Sequence, residues 1–184
     1  MNQAETLYLK ALSNYPFDFN EVCESLNYSL SYDPTFAPAL VMKGKIYMNE
    51  KMSLSTARTC FEQALCSDPL FTETYIHYGE LLLLTEQFEH LEALIDKSFK
   101  IPGISKSSMY VLRDRLYERL RNYRNAILTL NLAAEESYNE EMDKIIEVDR
   151  KRIDDKLARK NGKSKRKRVK KEEPVCVELS EVKG

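Results

Sequence analysis

Apolar residues recur every three to four positions along almost the whole body of the chain, the period of a helix with one buried face. No segment alternates as a strand before the last ten residues. The pattern predicts helices at about 3–14, 19–32, 36–50, 55–67, 71–85, 87–100, 107–121, 124–137 and 139–160. The breaks between them have chemical causes. Pro16, Pro34 and Pro69 each remove a backbone donor and bias the preceding residue away from helix. Ser53 and Ser55 can cap the fourth helix, and Ile101-Pro102-Gly103 stops the sixth. Such short loops make consecutive helices pack antiparallel. One hairpin has too little core to stand alone, so stacked hairpins must bury each other's faces.

A repeat underlies the pattern. Asp33-Pro34 and Asp68-Pro69 lie thirty-five residues apart, and so do Gly44 and Gly79. Leu26, Ser29 and Leu30 precede the first pair, where Phe61, Ala64 and Leu65 precede the second. A fixed period of this length marks a repeat array.

These residues resemble the tetratricopeptide repeat family, whose unit is a helix-turn-helix with a small-and-aromatic signature. The best copy runs from about Ala37 to Pro69. Leu40, Gly44 and Tyr47 match its first helix, and Ala57, Phe61, Ala64, Leu65 and Pro69 its second. The next copy keeps Tyr75, Tyr78, Gly79 and Leu82, but Leu91, Ile95 and Ser98 replace the usual small and aromatic residues. A third keeps Tyr110, Tyr117, Ala126, Leu130 and Ala133, with Asp114 where the glycine would be. The N-terminal pair keeps only Leu26, Ser29, Leu30 and Pro34. The resemblance implies an all-α, right-handed superhelix of about four helical hairpins. Other helical-hairpin solenoids share this reading. The division expected is 1–137 for the repeats, 138–160 for a capping helix and 161–184 for a disordered basic tail. Met142, Ile145, Ile146, Ile153 and Leu157 fall on one side of the ninth helix, as a cap over the open end requires. A partner-binding amphipathic helix is the alternative.

Charge separates the body from the tail. Residues 1–100 carry 7 Lys/Arg against 14 Asp/Glu, while residues 159–184 carry 10 against 4. No apolar run exceeds four residues, as at Leu81 to Leu84, far below the roughly 18 of a membrane span. The N-terminus lacks a basic region followed by an apolar stretch, so no secretory signal is expected. Cys23, Cys60, Cys66 and Cys176 lack CxxC spacing and read as reduced thiols of an intracellular protein.

Catalysis finds no support in these residues. His77 and His90 lie on different predicted helices, without HExxH spacing or a cysteine at ligand distance. There is no GxxxxGK[ST] and no GxGxxG. The acidic pairs Glu135-Glu136 and Glu140-Glu141 sit at helix junctions, where solvated charge is ordinary. No enzyme, cofactor or metal is expected.

In the family the first helix of each unit lines a concave surface that takes extended or helical peptides. Carried onto this chain, the resemblance puts Lys45, Glu80 and Arg115 there, each thirty-five residues from the next. Met48 and Asn49, Leu83, and Arg119 lie a turn further on, and Val41 and Ile76 add to an apolar strip. Such a strip suits an amphipathic helix or an extended segment. It equally suits packing inside a tight superhelix. One branch of the family clamps C-terminal carboxylates with paired Lys and Asn. Val41 and Glu80 stand where that clamp needs polar or basic groups, so such tails are not the expected ligand.

Nine of the thirteen residues 159–171 are basic, Lys163, Lys165, Arg166, Lys167, Arg168, Lys170 and Lys171 among them. So dense a run of like charge is expected to stay disordered, with Gly162 ending the helix before it. Three roles fit it: a nuclear localisation signal if the host has a nucleus, a phosphate-binding arm, or a self-docking tail drawn to the acidic body. Pro174 to Glu181 alternates and has the shape of a strand added to a partner's sheet edge. The reading that follows is a cytoplasmic protein-interaction scaffold or adaptor with a protein or peptide partner and no membrane contact. The alternatives are a nucleic-acid-associated factor acting through its tail, and a structural subunit of a larger complex. The oligomeric state is left open.

Overall fold

The computed structural model describes residues 2–50 and 53–172, with side chains to residue 160. Its helices are α1 (Gln3–Asn14), α2 (Phe19–Tyr32), α3 (Ala37–Asn49), α4 (Leu54–Ser67), α5 (Thr72–Leu84), α6 (Phe88–Ser98), α7 (Lys106–Arg119), α8 (Tyr123–Glu135) and α9 (Glu140–Glu172). Most start where the side chains provide for it. Asp18, Ser53, Ser105 and Asn122 accept hydrogen bonds from the first-turn amides of α2, α4, α7 and α8. The two Asp-Pro turns are built alike. Asp33 accepts from the Thr35 amide at 2.9 Å, and Asp68 from the Leu70 amide at 3.0 Å.

The helices pair as α1–α2, α3–α4, α5–α6 and α7–α8, and α9 closes the array. The first helices also touch in sequence, α3 on α5, α5 on α7 and α7 on α9, whereas the second helices do not pack on one another to that extent. An array held closer along one layer curves toward it. The first helices therefore form the inner, concave layer. Three apolar clusters run along this line, one across α1–α3, one across α3–α7 and one across α7–α9. They make the quasi-one-dimensional core of an all-α solenoid.

Close crossing within a unit at Gly44, and between neighbouring units at Gly79, depends on small residues. A Cβ on Gly44 would sit 2.7 Å from the ring of fully buried Phe61, and one on Gly79 would sit 2.7 Å from Leu112. Phe61 also meets Tyr78 of the next hairpin, with ring centroids 6.0 Å apart. It thus joins two units as well as filling one. Ser29 and Ser107 cross within hairpins, donating to the Ala4 carbonyl at 2.7 Å and the Ala133 carbonyl at 2.8 Å.

At the C-terminal end Ile146 and Ile153 are buried against Val111, Ala126, Leu130 and Ala133, with Met142 and Ile145 beside them. This is the apolar face the sequence assigns to a cap. The helix does not end at Gly162, however. Its backbone continues to Glu172, twelve residues beyond the expected boundary at 160. Lys and Arg are good helix formers, and one interior glycine costs only about 1 kcal/mol, which the rest of the run tolerates. Residues 173–184, with Cys176 and the strand-like segment from Pro174, lie outside the described residues.

Candidate functional site

The concave layer divides into an open N-terminal part and a filled C-terminal part. In the open part a cavity of about 260 Å³ lies between α1 and α3, with Glu73 of α5 at its edge. Tyr8, Leu12 and Tyr15 form one wall, and Val41, Met42 and Lys45 the other. Tyr8 is held by an edge-on contact with Phe36, centroids 5.6 Å apart. Leu12 is 49% exposed, an apolar side chain left in water at the rim. Lys45 is half-buried and makes no ion pair among the described residues. The cavity thus offers apolar walls with one cation and one carboxylate.

In the filled part α9 lies where a fifth first helix would be, and a polar seam joins it to α7. Arg115 donates to Asp149 at 2.9 Å. Arg152 donates to both oxygens of Glu118, at 2.7 to 3.1 Å, and to Asp149. Lys156 reaches Glu118 at 2.6 Å. Burial alone would push the Glu118 carboxyl up. The hydrogen bonds from Arg152 and Lys156 outweigh it and hold Glu118 below the usual carboxylate range. At the centre of the seam Asp114 is fully buried, and neither of its oxygens has a hydrogen-bond partner. Burial raises its pKa to about 7, with the charges of Asp149 and Glu118 adding to the rise and Arg152 and Arg115 opposing it.

Between the two parts lies Glu80. Burial would raise its carboxyl, but the 2.9 Å hydrogen bond with His77 and the charges of His77, Arg115 and Lys45 bring it below the ordinary value. Lys45, Glu80 and Arg115 are thus coupled along the inner layer, as their thirty-five-residue spacing implies. The apolar strip is placed differently. Val41 is 1% exposed in the cavity wall, Met48 is buried in the central cluster, and Ile76 and Leu83 pack partly buried against it. Asn49 is exposed at the end of α3. Arg119, at the end of α7, lies 3.7 Å from Glu86.

Sequence reasoning missed Tyr8, Leu12, Tyr15 and Glu73, because α1 carries almost none of the repeat signature. It also missed Asp149 and Arg152. Their signal was present: Asp149 and Arg152 follow Arg115 and Glu118 by thirty-four residues each, one short of the thirty-five-residue period. Cys60 packs in the interior, where burial pushes its thiol up, and Cys23 and Cys66 are also free. Among the described residues no cluster of His, Cys, Asp and Glu is arranged to hold a metal ion, and no helix is long and apolar enough to cross a membrane.

No protein-family model matches the sequence, and no curated protein matches it. Among solved structures the chain is similar to the crystal structure of MamA, a tetratricopeptide-like protein, with a TM-score of 0.55 and 15% identity. The match covers 88% of this chain and 98% of the other. Paired helices on a thirty-five-residue period, glycines at the crossings and this likeness together give the chain a tetratricopeptide-like helical repeat fold.

Proposed function

We propose that the chain is a non-catalytic protein-interaction scaffold whose partner is a peptide or helix bound on the concave side of α1, α3 and α5. The observation that carries this reading is the open cavity of about 260 Å³ between α1 and α3. Its apolar walls suit an aliphatic or aromatic anchor. Lys45 and Glu73 would set the direction of the bound segment, and Asn49 and Glu80 would extend the contact along the layer. Arg115 is engaged with Asp149, so the productive groove is shorter than the spacing alone implies. In this reading residues 138–160 seal the array, and the basic residues beyond them form a separate element.

A peptide library selected against the whole chain tests it. The enriched peptides should share an apolar anchor, and they should bind at least tenfold more weakly to a Leu12→Glu, Lys45→Glu double variant of unchanged melting temperature. Enriched peptides that bind wild type and variant equally would move the site off this face. Failure to enrich any peptide would overturn the scaffold reading.

A further inference from the structure

A second cleft lies at the filled end. The turn between α7 and α8 and the outer part of α9 enclose about 570 Å³. Arg119, Arg121, Lys156, Arg159 and Lys160 line it, with Glu118 as its carboxylate and Tyr123 as its aromatic wall. Five cations against one acid give a local charge of about +4 before any screening. Glu118 is already satisfied by Arg152 and Lys156. Arg119 faces Glu86 only at 3.7 Å, with both side chains more than half exposed, a pair of little strength in water. Arg121, Arg159 and Lys160 are exposed and have no carboxylate partner among the described residues. Lys160 is steadied by the face of Tyr123, its Nζ 5.5 Å from the ring centroid.

The repeat makes this end unlike the one before it. Arg121 has φ 57°, in the turn that ends α7, and Glu86 has φ 56° at the matching place thirty-five residues earlier. The same backbone geometry carries an acid in one unit and a base in the next. The left-handed conformation therefore belongs to the turn, and only the charge at this position is peculiar to the last hairpin.

In sequence the cleft residues Arg159 and Lys160 open a basic run, with nine Lys and Arg in the thirteen positions 159–171. A nucleic acid duplex carries about one phosphate charge per 1.7 Å of axis. A polyanion of that charge density matches so basic a cleft and run better than the scattered carboxylates of an acidic peptide do. We propose that this cleft binds the phosphodiester backbone of nucleic acid without reading its bases. Arg119, Arg121 and Arg159 contact phosphate in this arrangement, and Lys160 does so from its place on Tyr123. The site is independent of the concave cavity, and either can fail without the other.

The test is fluorescence anisotropy with the full chain, using a labelled 20-nucleotide single-stranded RNA, a duplex DNA of 20 base pairs and polyglutamate of equal charge. Titrations run from 50 to 200 mM salt. The wild type should bind one or both nucleic acids at 50 mM salt, with affinity falling steeply as salt rises. The stronger of the two arms identifies the source of the phosphodiester. Arg121→Glu combined with Arg159→Glu leaves the run 163–171 intact. It should cost about tenfold or more in affinity and lower the duplex salt slope by about two. Glu86 already occupies the Arg121 backbone conformation, so the turn accepts the glutamate. An Arg121→Ala, Arg159→Ala chain of wild-type melting temperature guards against misfolding and should lose affinity in the same direction. Three results would overturn the proposal: no nucleic acid binding at 50 mM salt, unchanged affinity and slope in both variants, or polyglutamate binding as tight as nucleic acid.

Discussion

Gly44, Gly79 and Asp114 hold one position in three successive first helices, and the difference between the first two and the third separates the middle of the array from its end. In the middle the helices cross so closely that a methyl group would meet Phe61 or Leu112 at 2.7 Å. The small residue there is a packing requirement. At the end the neighbouring layer is α9, which brings Asp149 and Arg152 beside its apolar face. A carboxylate then occupies the glycine position, unpartnered and with its pKa raised to about 7. One repeat geometry thus accepts a dry interior or a polar seam, according to what the next helix presents. The dry part should respond to volume and the seam to pH.

The largest effect falls on the dry part. Phe61 is fully buried and touches both its own hairpin and Tyr78 of the next. Phe61→Ala should cost about 3–5 kcal/mol, through lost burial and the cavity left behind. Chemical denaturation checks it, and the loss should be the same at pH 5 and pH 8. A strongly pH-dependent loss would mean that middle and end are not the separate regimes described above.

The seam should respond in the opposite way. Asp114 has a folded pKa raised above the ordinary value near 3.9, so the fold favours its neutral form. Between about pH 4 and pH 7 the folded chain binds more protons at this site than the unfolded chain, and stability contributed here is lost as pH rises. Above about pH 7 the penalty is constant, and the shift corresponds to at most roughly 4 kcal/mol. Asp114→Asn keeps the shape and removes the charge. Its melting temperature should exceed wild type by a margin that opens from pH 5 to pH 8. Glu80 and Glu118 titrate the other way, with folded values below the ordinary range, but they are common to both proteins and drop out of the difference. A margin independent of pH would show that Asp114 is charged, or accommodated, at every pH.

A third effect, smaller again, probes the crossing directly. Gly44→Ala gains up to about 1 kcal/mol of helix propensity but must displace the Phe61 ring, at a cost of roughly 1–3 kcal/mol. The net change should be a destabilisation of about 1 kcal/mol by denaturation. Gly44→Ala in a Phe61→Leu background should be milder than the sum of the two single changes, because the clash partner is smaller.

These contrasts also explain what could be read in the sequence. The helices were legible because most boundaries have a local cause, such as the Asp-Pro turns at 33 and 68 or the serine cap at 53. The close crossing at Gly44 was legible because its partner Phe61 lies in the same repeat. The seam was not, because the buried state of Asp114 depends on α9, and α9 reads in isolation as an amphipathic cap. Its periodic link to α7 is carried by charge rather than by the small-and-aromatic signature. The cavity wall at Tyr8 and Leu12 was hidden for a similar reason, since α1 has lost that signature and only the stacking shows which face it offers. Gly162 misled because a lone glycine weakens a helix without always ending it.

The smallest single effect belongs to one of a matched pair of charge reversals at one repeat position. Lys45 and Arg115 are seventy residues apart, two periods, and both face the inner layer. Lys45 borders the open cavity and contributes only a distant charge to Glu80. Lys45→Glu should therefore change stability by no more than about 0.5 kcal/mol. Arg115 donates to Asp149, which is 2% exposed, so Arg115→Glu places a second carboxylate beside a buried one. Arg152 remains to hold Asp149, which limits the loss to roughly 1–3 kcal/mol instead of the full cost of an unpaired buried ion. Asp114, with its pKa raised to about 7, loses its charge at the lower pH and with it part of the new repulsion, so the Arg115→Glu loss should shrink from pH 8 to pH 5, while the Lys45→Glu change stays near zero throughout. Two equal losses would mean that the inner layer is filled along its whole length, and the cavity at Lys45 would then be no more open than the seam at Arg115.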